Sequence, residues 1–128
     1  YFVLLQPTSP LRNSRHIDEA INLLRLKDAD ALISVTNPKD PPQKTMILDK
    51  KGFLTGLVDN EKLFLPRQKL DRSFKPNGAI YIVRVKEFLL KNSFLLNRTI
   101  PYIMDEASSI DIDTKADLEL VESIMKSQ

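Results

Sequence analysis

An α/β fold is predicted by three features of this chain of 128 residues. Apolar runs of strand length, Tyr1-Phe2-Val3-Leu4-Leu5, Ala31-Leu32-Ile33-Ser34-Val35-Thr36 and Ala79-Ile80-Tyr81-Ile82-Val83, alternate with segments whose apolar residues recur at helical spacing. The first strand, helix and second strand together have the length of a βαβ crossover, which implies a parallel sheet with helices on its faces. Prolines, which fix their own φ and donate no hydrogen bond, concentrate in the connectors.

Taken in order, Tyr1–Leu5 opens on a buried-looking apolar run with no Met and no polar lead-in, and reads as a strand cut from a longer polypeptide. Gln6-Pro7-Thr8-Ser9-Pro10 forces a turn. The spacing then predicts a helix capped by Asn13 or Ser14, with Asp18 and Glu19 in its first turn and Ile17, Ala20, Ile21, Leu23 and Leu24 as its apolar stripe. Asn37-Pro38-Lys39-Asp40-Pro41-Pro42 ends the second strand. Lys44–Leu48 and Phe53-Leu54 read as short antiparallel strands joined around Lys51-Gly52. Residues 57–74 carry many charges and little periodicity, as expected of an arm that reaches a ligand or another subunit. Pro76-Asn77-Gly78 is a turn signal ahead of the strand Ala79–Val83. A short helix over Val85–Lys91, a connector containing Phe94, Leu95 and Leu96, and a strand over Thr99–Met104 follow. Pro101 argues for an edge position or a strand start there. Thr114 and Asp117 supply a capping box for a closing amphipathic helix built on Leu118, Val121, Ile124 and Met125.

Composition limits the function. Nineteen Lys and Arg against 17 Asp and Glu leave a net charge of +2, which does not argue for a nucleic-acid binder. There is no cysteine and a single histidine, His16, so a disulfide framework and the usual His/Cys zinc site are excluded. Nothing approaches the run of about 18 apolar residues that a spanning helix needs, and a cytoplasmic protein without membrane partners is expected. Charge is uneven, however: Lys62, Arg67, Lys69, Arg72 and Lys75 face Asp71 alone, a segment suited to an anionic ligand.

The strongest chemical signal is Ser109-Ile110-Asp111-Ile112-Asp113-Thr114. If the segment is extended, both carboxylates project to one side and the isoleucines to the other. Two such oxygens suit Mg²⁺, which binds one or two carboxylates while keeping waters and bridging to substrate phosphates. The competing reading makes Asp111 a solvent-facing residue and Asp113 a helix cap. Arg67 and Lys75 could hold a carboxylate or phosphate or be solvated loop charges. Lys44 is either the polar flank of a strand or a ligand contact. Gln6 ends a strand at the sheet edge where open α/β proteins bind ligands, and its amide can pair with sugar hydroxyls. Thr8 and Ser9 could do the same or satisfy the turn. Asn77 makes a tight turn with Gly78 or hydrogen-bonds a ligand from it. His16 is read as a surface or helix-flank residue, and Phe94 and Leu95 as core or as an apolar wall.

Three segments in register, Leu4-Leu5-Gln6-Pro7-Thr8-Ser9-Pro10-Leu11-Arg12, Phe74-Lys75-Pro76-Asn77-Gly78-Ala79-Ile80-Tyr81 and Ser109–Thr114, resemble the N-acylneuraminate cytidylyltransferases, or CMP-sialic acid synthetases. The resemblance implies a Rossmann-like nucleotidyltransferase with a mixed sheet flanked by helices. Residues 1–128 would form the C-terminal part of the cytidylyltransferase domain, with 38–75 as a substrate-binding and dimerisation insertion that protrudes as an arm. In that family CMP passes from CTP to a nine-carbon 2-keto sugar acid such as N-acetylneuraminate, and pyrophosphate leaves. By resemblance Asp111 and Asp113 hold Mg²⁺ and Lys44 assists as a basic catalytic residue. Gln6, Arg67, Lys75 and Asn77 bind substrate, while Phe94 and Leu95 approach the sugar site of a neighbouring subunit in a homodimer with shared active sites. Lys75 stands where arginine is frequent, and Leu95 replaces a second ring. The family's Gly-, Arg- and Lys-rich triphosphate loop has no counterpart here, so an N-terminally truncated fragment, inactive by itself, is expected. A different nonulosonate acceptor, legionaminate or pseudaminate, and an inactive subunit-association module are the alternatives.

Overall fold

The computed structural model describes all of Tyr1–Gln128. In chain order the elements are β1 (Phe2–Leu4), α1 (Ser14–Leu26), β2 (Ala31–Thr36), β3 (Met46–Leu48), β4 (Leu54–Gly56), β5 (Lys75–Val83), α2 (Val85–Lys91), β6 (Thr99–Ile103) and α3 (Lys115–Ser127). Single 3₁₀ turns occupy Pro42–Lys44, Asn60–Lys62, Arg67–Lys69 and Ala107–Ser109. The chain divides into two compact units, residues 1–36 with 76–128, and residues 37–75.

The first unit is built on a mixed four-stranded sheet in the order β1-β5-β2-β6. β1 runs antiparallel to β5, pairing Phe2 with Val83 and Leu4 with Tyr81. β2 runs parallel to β6, from Ala31 opposite Thr99 to Val35 opposite Ile103. This corrects the simple crossover expected from length, because β5 lies between β1 and β2. Local spacing sets the size of a strand-helix-strand unit, but a distant segment decides which strands are neighbours. β1 is therefore an edge strand, and its Val3 and Leu4 are exposed rather than buried. β6 holds the other edge, where Pro101 removes no ladder bond that the sheet requires.

β5 and β2 are central, and their burial explains their apolar composition. Leu32, Ala79, Ile80 and Ile82 pack with Ala20 and Leu24 of α1 and with Tyr102 and Met104. Ile17, Ile21 and Leu23 extend that contact along the predicted stripe. β5 also begins earlier than expected: Pro76-Asn77-Gly78 is strand, not a turn, although Gly78 has φ +75°.

Helix ends follow local chemistry. Asn13 caps α1: its Oδ1 accepts from the His16 N–H at 3.1 Å, while His16 Nδ1 accepts from the Asn13 N–H at 3.2 Å. This is a capping box with histidine in the place usual for Glu or Gln. His16 is thus buried at the helix flank against Tyr102, not on the surface, and Asp18 and Glu19 fall beyond the first turn. Glu19 instead accepts the Tyr102 hydroxyl at 2.5 Å. α2 matches its expected bounds and ends at Asn92, which is left-handed at φ 48°. Thr114 and Asp117 cap α3 reciprocally, as expected. Beneath β1 and β5 the Phe94 ring meets Phe2, Phe88 and Tyr81 at centroid distances of 5.7, 5.1 and 5.3 Å.

The second unit carries the β3–β4 hairpin, paired from Met46 opposite Gly56 to Leu48 opposite Leu54. Asp49 Oδ1 accepts from the Lys51 and Phe53 N–H groups at 2.8 and 2.9 Å, and Gly52 supplies the φ of +85° that the turn requires. Met46, Ile47, Leu48, Phe53 and Leu54 are all exposed.

Leu32 is fully buried in the central strand, and deleting such a side chain removes burial energy and leaves a cavity. Leu32→Ala is expected to lower stability by about 2–5 kcal/mol in urea denaturation, with exposed Leu89→Ala as a near-neutral control.

Candidate functional site

The turn after β1 is fixed by its own backbone. The Ser9 N–H donates to the Gln6 carbonyl at 3.3 Å, and Arg12 Nη1 donates to the Gln6 and Ser9 carbonyls at 2.6 and 2.7 Å. Burial pushes the Arg12 guanidinium below its ordinary value, consistent with a charge placed inside the turn it braces. The same turn holds the acidic segment, since the Ile112 N–H donates to the Thr8 carbonyl at 2.8 Å.

Asn77, at 5% exposure, is the centre of a buried polar hub. Its Oδ1 accepts from Ser34 Oγ at 2.6 Å and from the Ala79 N–H at 3.2 Å. Its Nδ2 donates to Ser109 Oγ at 2.9 Å and lies 3.4 Å from the Met104 sulfur. Ser34 Oγ in turn accepts from the Ile80 N–H at 2.7 Å. Ser9, with no exposed surface, places its hydroxyl 3.0 Å from the Asn77 carbonyl and 3.3 Å from Asp111 Oδ1. Gly78 completes the hub by having no side chain: a Cβ there would stand 2.4 Å from Gln6 Oε1 and 2.9 Å from Ser9 Oγ. The Gln6 amide is therefore seated against the β5 backbone, on a position that only glycine leaves open.

Gln6, Asn77 and Asp111 thus converge. Asp111 is half-buried, Asp113 is exposed, and the Asp113 N–H donates to Asp117 Oδ2 at 3.2 Å. Residues 110–113 are not a strand, which corrects the geometry assumed for the pair: they are held by the turn after β1 and by the α3 cap, not by a ladder. The structure contains no group of three or more His, Cys, Asp or Glu side chains able to hold a metal. Asp111 and Asp113 each carry carboxylate oxygens, the hard donors that suit an ion retaining waters. Asp111 also acts at a distance on Tyr81, whose phenol is pushed above its ordinary value first by burial and then by that charge. Asn77 does not make the expected tight turn, and its amide is occupied by protein groups.

The other expected residues lie elsewhere. Phe94 belongs to the ring cluster, and Leu95 beside it is 74% exposed. Lys44 sits in a 3₁₀ turn and not at a strand start, because Pro41 and Pro42 set that turn before β3 can begin. Arg67, in another 3₁₀ turn, donates to the Lys39 carbonyl at 2.5 Å and lines a cleft of about 290 Å³ with Asn37, Asp71, Arg72 and Ser73. Lys75 is the exposed first residue of β5. Ser34 and Ser109 were not singled out from sequence; a lone serine inside the otherwise apolar strand Ala31–Val35 was the available signal for the first.

No protein-family model matches the chain. Over 116 residues, 91% of its length, it is 39% identical to the N-acylneuraminate cytidylyltransferase of Streptococcus agalactiae serotype III, of which it covers 28%. It is 37% identical over 126 residues to the N-acylneuraminate cytidylyltransferase of Escherichia coli O18:K1:H7, covering 30% of that protein. It is 31% identical over 127 residues to the CMP-N,N'-diacetyllegionaminic acid synthase of Legionella pneumophila, covering 53%. The chain therefore spans less than a third of the first two relatives and about half of the third.

Asn77→Ala would strand partners in three segments at once, with Ser34 and the Ala79 N–H fully buried, and a loss of about 2–4 kcal/mol is expected in denaturant titration. The Asp105 carboxyl, which accepts from the Ser108 N–H at 2.7 Å, is held below its ordinary 3.8 chiefly by that bond, with burial opposing. Because the folded value is the lower one, its support of the Ala107–Ser109 turn is complete above pH 3.8 and disappears as pH falls through the lowered value. The Ser108 amide resonance is expected to follow that titration, and to lose it in Asp105→Asn.

Proposed function

This chain is homologous at the family level to the N-acylneuraminate cytidylyltransferases, and from that premise we propose that it forms the metal and acceptor side of a site transferring CMP from CTP to a nine-carbon 2-keto sugar acid. The observation that carries the reading is the convergence of Gln6, Asp111 and the buried Asn77 hub at Ser9 and Gly78. The Asp111 carboxylate and an amide suited to sugar hydroxyls thereby lie against a common buried scaffold.

In this reading Asp111 and Asp113 hold Mg²⁺, which would supply charge stabilisation at the α-phosphate of CTP and lower the pKa of the bound acceptor hydroxyl. Asn77 binds indirectly, by fixing the strand against which Gln6 lies. Gln6 orients the sugar through its amide. The anomeric oxygen bonds to the α-phosphorus, the bond to the β-phosphate oxygen breaks, pyrophosphate leaves and the hydroxyl proton passes to solvent. Lys44, Arg67 and Lys75 supply positive charge to phosphate and to the acceptor carboxylate. The exposed apolar hairpin and the 38–75 insertion serve as the dimerisation arm, and Phe94 and Leu95 form an apolar wall towards a partner's sugar. Dependence on CTP fits a cytoplasmic enzyme.

Similarity to a relative named as a diacetyllegionaminic acid synthase, 31% identical, supports a second acceptor reading in which another nonulosonate is used. The protein carrying this sequence is expected to release pyrophosphate from CTP only with Mg²⁺ and a nonulosonic acid, and a panel of such acids separates the two acceptors. Asp113→Asn should lower kcat about 100-fold or more with an unchanged circular dichroism spectrum. Unaltered turnover in that variant removes the metal assignment.

A further inference from the structure

Ser9 cannot meet a ligand, because none of its surface is exposed. Its hydroxyl nevertheless faces two acceptors, the Asn77 carbonyl at 3.0 Å and Asp111 Oδ1 at 3.3 Å, and has one proton to give. The carbonyl distance is the shorter, and the carboxylate distance is long for an O–H···O bond. The carboxylate is the stronger acceptor by charge. The donor itself is held still: Arg12 fixes the carbonyls on either side of the turn, and the Gly78 backbone closes against Ser9 Oγ. Asp111, by contrast, lies on an irregular segment outside any sheet ladder, tied to the same turn one residue later through the Ile112 N–H.

We propose that Ser9 is the positioning residue for Asp111. Its hydroxyl is shared between the Asn77 carbonyl and the carboxylate, and selects one orientation of a side chain that its own backbone leaves free. The inference rests on the reading of Asp111 as a metal ligand. It adds that the buried hub sets metal affinity through this hydrogen bond.

The test is Mn²⁺ binding by the protein in the presence of CTP, read as free Mn²⁺ by electron paramagnetic resonance. Ser9→Ala is expected to weaken Mn²⁺ about 10-fold, the lower end of what loss of a ligand-orienting partner does. Asp111→Asn should weaken it further, and Ser9→Ala added to Asp111→Asn should change nothing more. Ser9→Cys keeps an atom in the niche but donates weakly, so its affinity should fall between parent and Ser9→Ala; it also covers the case in which Ser9→Ala fails to fold. Parent-like affinity in both Ser9 variants, or an equal loss with and without Asp111, overturns the positioning role while leaving the metal site intact. Unchanged affinity in Asp111→Asn, or no Mn²⁺ retained by the parent, overturns the metal reading and the positioning role with it.

Discussion

A buried amide has to find all its hydrogen bonds inside the protein, because each one left unmade is a desolvation loss without compensation. Asn77 meets that requirement from several directions: a serine on β2, a backbone N–H on its own strand, a serine in the 3₁₀ turn after β6, and through its carbonyl the serine of the turn after β1. Apolar packing of α1 on β2 and β5 is tolerant of small shifts, but this set of bonds is satisfied in one arrangement only. The hub therefore fixes the register among segments that packing alone would leave loosely related.

That constraint explains what the sequence disclosed and what it hid. α1, β2, α2 and α3 were legible because periodicity and caps are local: the Ile17 to Leu24 stripe and the Thr114–Asp117 box need no knowledge of the rest of the chain. The place of β1 was hidden, since β5 enters the sheet between β1 and β2 from a segment far along the chain. Pro76-Asn77-Gly78 misled for the same reason. Its residues are those of a turn, yet the glycine is there so that Gln6 and Ser9 can approach the backbone, and the asparagine is there to be buried. Alternation at 109–114 was real in the sequence but came from two separate anchors, the Thr8 carbonyl and the α3 cap, and not from a strand. Gln6, Asn77 and Asp111 were thus legible as residue types, and the way they meet was not.

The two units differ in how their polar groups are used. Around Asn77, serines, an amide and carbonyls are buried and mutually satisfied, giving a neutral, stiff support beneath Asp111. Residues 37–75 keep most of their cations exposed, including Lys44, Arg67 and Lys75, on 3₁₀ turns and strand ends. Lys62 pairs with Asp71 at 2.8 Å, an exposed ion pair that adds little stability and yields readily to a competing anion.

The segment 37–75 leaves the sheet after β2 and rejoins it in β5, and those strands are neighbours. An excursion of this kind is closed by the sheet at its base, and the entropy of closing a loop grows only slowly with its length. Insertions, deletions and changes of charge within it are accordingly decoupled from the Asn77 hub. Evolution has in this topology a replaceable cartridge: one segment between β2 and β5 can be exchanged for another while the strands that carry the Asn77 hub keep their pairing.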